Sequence, residues 1–186
     1  MLFTTGYLTK ADFKQGTKNI ALKIPNKEIT DLFESQVLQY FRHNLDFETP
    51  RKLINALWDG DVTQAMESFN DLLLDTISYH DYGESYYHAF LTGVLSKVGY
   101  EVKSNMECGT GRADIVIKDY RNHRAMIIET KFTKDAEKLE QVCDEAIEQI
   151  DRRNYESTLN KVVYPNVICF GIACFEKMAI ITMKQD

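Results

Sequence analysis

Apolar positions recur along this chain with two different periods, and the change from one to the other divides it. In the first half the spacing is helical: Ile29, Leu32, Phe33, Val37, Tyr40, Phe41 and Leu45 fall on one face. Thr49-Pro50 then reads as an N-cap and first helical residue, with Gly60 as a stop after Trp58. Asp61-Val-Thr-Gln64 resembles a capping box opening a helix that carries Ala65, Met66, Phe69, Leu72 and Leu73. Only short β-like pieces precede this, Phe3 to Thr9 and Ile20 to Ile24, separated by a polar turn containing Gly16.

The second half alternates between periods. A helix is predicted from about Glu84 to Val98, with Tyr87, Phe90, Leu91, Val94, Leu95 and Val98 on one side and Gly99 ending it. Tyr100 to Asn105 is a strand candidate, and two further strands surround Asp114 and Glu129. With Thr133 or Asp135 as cap, Ala136, Leu139, Val142, Cys143, Ala146 and Ile150 make the next amphipathic helix. The nearly continuous apolar run Val167 to Phe175 fits a strand covered on both faces, and Met178 to Met183 follows across Glu176-Lys177. The order is α-β-β-β-α-β-β. It predicts an α/β domain over residues 79–186, a mixed central sheet flanked by helices, behind a mainly helical module over 1–78.

Composition adds limits. The 186 residues are 44% hydrophobic and 27% charged, ordinary for a globular chain with one core and a small appendage. No apolar run approaches the length of a membrane span and the N-terminus lacks a signal-peptide pattern, so a cytoplasmic location is expected. The four cysteines, at 108, 143, 169 and 174, form no C-x-x-C pair, which favours reduced, buried thiols. The histidines at 43, 80, 88 and 123 lack ligand spacing and read as core or surface residues, although His88 and Tyr87, beside Glu84, could line a site; Tyr87 reads more simply as core. A net charge of −6 argues against a general nucleic-acid binder. Residues 112–134, however, hold six basic and three acidic side chains, so this segment is locally positive. Hairpin tips are also commonly decorated with Lys and Arg for solubility.

The candidate chemistry lies in that segment. Strand alternation puts Glu129 and Lys131 on one face with Ala125 and Ile127, and Met126, Ile128, Thr130 and Phe132 on the other. A hairpin closed symmetrically about Arg121-Asn122 places Asp114 opposite Glu129, with Cβ atoms roughly 5 Å apart. Two carboxylates so placed repel unless a divalent cation lies between them. Oxygen ligands from both, with the Thr130 carbonyl and waters, suit magnesium or manganese better than zinc. Lys131 would then orient an attacking water or offset phosphate charge. The plainer alternative is a solvated Glu129-Lys131 pair on a half-exposed strand.

Asp, an interval, then Glu-x-Lys on the next strand resembles the PD-(D/E)XK nuclease superfamily. Tyr86-Tyr87-His88-Ala89-Phe90, Gly99-Tyr100-Glu101-Val102, Gly111-Arg112-Ala113-Asp114-Ile115-Val116, Ile128-Glu129-Thr130-Lys131 and Glu148-Gln149-Ile150 followed by Tyr155 resemble the nuclease-type domain found C-terminal to AAA-type ATPase domains in bacterial proteins. Gly6-Tyr7-Leu8-Thr9 and Ile24-Pro25-Asn26-Lys27-Glu28 resemble the segment joining those two domains. Two departures stand out: no phosphate-binding G-x-x-x-x-G-K-[ST] loop occurs, and Ala113 replaces the superfamily's Pro. The chain is then either a fragment of an ATPase-containing protein or a stand-alone version.

The resemblance implies a restriction-endonuclease-like core and metal-dependent phosphodiester hydrolysis of nucleic acid, DNA ahead of RNA. Asp114 and Glu129 would bind magnesium, Lys131 would assist catalysis, and Glu84 matches an additional acidic ligand; a helix N-terminal acid favoured by the macrodipole looks the same. Gln149 falls where members carry a site-facing helix residue, although a surface glutamine looks identical. Glu107 is a weaker acidic candidate. Arg112, Arg121, Arg124 and Lys134 are the expected nucleic-acid contacts. The helical module is expected to dock to an ATPase domain or to form a homodimer. The alternative is a non-catalytic nucleic-acid or protein interaction module whose activity comes from such an ATPase domain.

Overall fold

The computed structural model describes residues 48–76 and 84–185, together with residues 9, 10, 22, 23, 26 and 28. Strands β1 (Thr9–Lys10) and β2 (Leu22–Lys23) pair antiparallel. The helix expected from Ile29 to Leu45, and His43 and His80, lie outside the described residues.

Helix α1 (Glu48–Asp59) takes Thr49 and Pro50 into its first turn, so Thr49 is not the cap the sequence implies; proline is tolerated there because first-turn N–H groups have no intrahelical partner. Its end is as expected. Gly60 adopts φ +72°, Gly60 N donates to Leu57 O at 3.2 Å, and Asp61 N donates to Ala56 O at 2.9 Å. This pair of backward bonds satisfies the last carbonyls. Asp61 then caps α2 (Val62–Thr76), its Oδ1 accepting from Gln64 N at 3.0 Å.

Helix α3 (Glu84–Ser96) ends two residues earlier than its apolar stripe, in a turn at Gly99 with φ +89°. There follow β3 (Glu101–Cys108), β4 (Gly111–Asp119) and β5 (Arg124–Phe132), then helix α4 (Leu139–Arg153) and strands β6 (Asn166–Phe175) and β7 (Met178–Met183). Asp135 opens a short 3-10 turn before α4, its side chain accepting from Glu137 N. The sheet order is β3-β4-β5-β6-β7, antiparallel except for the central β5–β6 pair. That parallel pair needs a crossover, which α4 supplies. This is the restriction-endonuclease-like α/β arrangement.

One face of the sheet (Ile115, Ile117, Met126, Ile128, Phe170, Ile172) shares a core with Leu53, Leu57, Phe69, Leu73, Phe90 and Leu91 of α1, α2 and α3. The opposite face (Val116, Ala125, Ile127) packs on Ile150, Tyr155 and Leu159. All four cysteines are buried and unpaired, as expected.

Candidate active site

The β4–β5 hairpin has the register expected for closure about Arg121-Asn122: Ile115 pairs with Ile128 and Asp119 with Arg124. Pairing stops there, one step short of Asp114. On its other side Asp114 is also outside the ladder, because Ser104 pairs with Ile115 and Met106 with Ala113 while Asn105 takes φ +53°. Asparagine is among the side chains that adopt this left-handed conformation most readily.

Asp114 therefore needs other partners for its backbone, and finds them. Its carbonyl accepts from His88 Nε2 at 2.9 Å, and Ser104 Oγ lies 3.0 Å from the same nitrogen. Its carboxylate turns to the free end of the β5 ladder, where Oδ2 accepts from Thr130 N at 2.8 Å and Thr130 Oγ1 at 2.6 Å. Thr130 thus orients Asp114 through its amide and hydroxyl. Oδ1 is left out of both bonds.

Glu129 is 1% exposed. Its Oε1 accepts from Lys131 Nζ at 3.2 Å and from Gln149 Nε2 of α4. Its Oε2 is buried with no hydrogen-bond partner among the described residues. Burial first, and then the negative charge of Asp114, push the Glu129 carboxyl up to about 7. A buried carboxylate oxygen without a donor is costly. Beside a second carboxylate, it has the chemistry of a divalent-cation ligand.

The remaining expected residues divide between two ends of the molecule. Glu84, at the start of α3, reaches Lys131 at 4.0 Å. Gln149 is half-buried and donates to Glu129 Oε1 rather than lying solvated. Tyr155, to which the sequence reading gave no role, accepts from Gln149 Nε2 at 3.1 Å and donates to Arg112 O at 2.8 Å, fixing the glutamine that holds Glu129. Arg112 and Lys134 are exposed near this end of β4 and β5; Arg112 lies 3.9 Å from Glu107, an exposed side chain at the β3–β4 turn. Arg121 and Arg124 lie at the other end. Seven residues of strand separate Arg124 from Lys131, about 23 Å at the usual rise. Arg124 is moreover occupied: its Nε donates to Asp119 Oδ2 at 3.0 Å and its guanidinium lies 4.2 Å from the Trp58 ring centroid. The positive stretch 112–134 is thus not one patch, because the hairpin carries its charges to opposite ends of the sheet.

Among the described residues, no three His, Cys, Asp or Glu side chains converge closely enough to hold a metal by themselves. Two carboxylates completed by water remain an acceptable donor set for magnesium or manganese, and the orphaned Glu129 Oε2 beside Asp114 fits it. No described helix is long and apolar enough to cross a membrane. No curated protein matches the chain. The family profile of the PD-(D/E)XK nuclease superfamily matches residues 82–184, a span that contains Glu84, Asp114, Glu129, Lys131 and Gln149. On that match, and on a sheet that brings Asp114, Glu129 and Lys131 to one end, this chain belongs to the PD-(D/E)XK nuclease superfamily.

Proposed function

We propose that this chain hydrolyses phosphodiester bonds in nucleic acid with a magnesium or manganese ion held by Asp114 and Glu129. The observation that carries the reading is the Glu129 Oε2 atom, buried and without a donor on the strand next to Asp114. When bound, the cation would polarise the phosphate and lower the pKa of a coordinated water.

The side chains around it have separable tasks. Thr130 holds Asp114 through Oδ2. Gln149 and Lys131 hold Glu129 through Oε1, which leaves Oε2 available to the proposed cation. Lys131, between Glu129 and Glu84, keeps an ammonium beside the reacting phosphate, where it orients the attacking water and offsets negative charge. Glu84 is proposed as a further ligand acting through water, since its nearest fixed partner is Lys131. Arg112 and Lys134, exposed at this end, are the proposed phosphate contacts.

DNA is the first substrate to try. The resemblance to nuclease domains carried behind AAA-type ATPase domains makes such a domain, or a second copy of this chain, the proposed partner, and a cytoplasmic location goes with it. The test is incubation of the protein and its Lys131→Ala variant with plasmid, single-stranded DNA and RNA in manganese. Cleavage that falls at least a hundredfold in the variant is expected. Cleavage indifferent to the substitution, or none by a wild-type protein whose melting point manganese does raise, would contradict hydrolysis at this site; the second outcome would favour a binding module.

A further inference from the structure

We infer that a cleft at the opposite end of the sheet is a second contact for the nucleic-acid strand on which the site acts; the inference rests on the nuclease reading above. The cleft has a volume of about 660 Å³ and lies between α1 and the β4–β5 hairpin tip. Its wall carries Arg51 and Asn55 from α1 and Lys118, Tyr120 and Arg121 from the hairpin. Arg51 and Asn55 fall outside the segment 82–184 that the superfamily profile matches, so the cleft is a feature of this chain's helical part set against the nuclease core.

Its charges are arranged for an anion. The two acids in the wall already have partners: Asp119 accepts from Asn122 and Arg124, and Glu101 is held below its ordinary range by Lys103 and then by the Tyr120 hydroxyl. Arg51 and Arg121 are exposed and form no ion pair among the described residues. The aromatic side chains are braced from behind, Tyr120 against Tyr164 at 5.6 Å and Tyr100 against Trp58 at 5.8 Å. Tyr120 is nevertheless 55% exposed. Cations at the mouth beside an open, braced ring are what a single strand needs, phosphates on the arginines and a base on the tyrosine.

Spacing sets the length of strand. The separation of about 23 Å along β5 corresponds to about seven nucleotides at a stacked spacing near 3.4 Å. A stacked strand engaging both ends therefore extends about that far from the scissile phosphate, and an unstacked one bridges the same distance with fewer nucleotides.

The test is fluorescence anisotropy of a labelled 20-nucleotide oligothymidylate, without metal, on the full chain and on Arg51→Glu/Arg121→Glu. Lys138→Glu/Arg152→Glu, the same change of charge at exposed positions before and at the end of α4 that do not line the cleft, is the control. The cleft variant is expected to bind at least tenfold more weakly, with a shallower salt dependence, and Tyr120→Ser to lose several-fold at unchanged salt slope. The manganese-induced rise in melting temperature should persist in the cleft variant, which separates a failed cleft from a failed metal site. Unchanged affinity in the cleft variant, or an equal loss in the control, would overturn the inference. So would thymidine monophosphate binding as tightly as the 20-mer, which would mark a mononucleotide site.

Discussion

At the scale of single residues, Glu129 is the most perturbed carboxyl in the proposed site, because burial and then Asp114 both disfavour its charge. A carboxyl raised to about 7 in the fold, against about 4.5 unfolded, contributes stability that is complete below about pH 4.5 and is lost as pH rises through 7. Metal-free protein should lose up to about 3 kcal/mol between pH 5 and pH 8. Glu129→Gln should flatten that dependence, with urea midpoints at the two pH values as the measurement. Equal slopes in both proteins would show that Glu129 titrates normally. His88 acts on the neighbouring backbone. His88→Ala leaves the Asp114 carbonyl without its donor at a break in the ladder, at a cost of about 1–3 kcal/mol, and should also weaken manganese binding measured by calorimetry. That Asp114, Glu129 and Lys131 share one end of the sheet was legible in the sequence, because strand alternation and hairpin symmetry set the β4–β5 register; that Asp114 leaves the ladder and bonds Thr130 was not. The position of His88 beside Glu84 hinted at a site-lining residue, but its bond to the Asp114 carbonyl was not readable, because it depends on Asp114 leaving both ladders and no local pattern announces that.

At the scale of elements, the site depends on how closely α4 lies on the sheet. Gly171 of β6 pairs with Glu129, and a Cβ added there would meet Cys143 O at 2.7 Å and Ala146 Cβ at 3.1 Å. Cys143 Sγ also donates to Gly171 O at 3.2 Å, so helix and strand touch at this point. Gly171→Ala should push α4 outward, draw Gln149 off Glu129 and lower cleavage more than tenfold. Its melting temperature should fall as well, and retention of full cleavage in the variant would disconnect α4 from the site. Periodicity and capping residues made most elements readable: Gly60, Asp61 and the apolar run of β6 each mark what they were expected to mark, while Asp135 caps a 3-10 turn ahead of α4 rather than the helix itself. Thr49-Pro50 misled because a proline at N1 and one later in the first turn leave the same sequence trace.

At the scale of the whole molecule, the helices before residue 79 share a core with the sheet. Leu53, Leu57, Phe69 and Leu73 pack in the same cluster as Ile115 and Phe170, and Asn70 bonds both the amide and the carbonyl of Ala179 on the edge strand β7, at 2.7 and 3.2 Å. Residues 79–186 alone would expose that apolar face, so the full chain should melt in one transition and the fragment should bind a hydrophobic dye without a cooperative melt. Two resolved transitions in the full chain would contradict this. The distribution of basic residues was the least legible feature, since the length of one strand puts Arg124 and Lys131 at opposite ends of the sheet. At the centre of the proposed chemistry, Asp114 and Glu129 together hold a divalent cation. The most direct measurement is titration calorimetry of manganese into the protein and into Glu129→Gln at pH 8. Saturable binding that Glu129→Gln weakens at least a hundredfold is the predicted result, and equal affinity in the two proteins, or no binding to either, would contradict it.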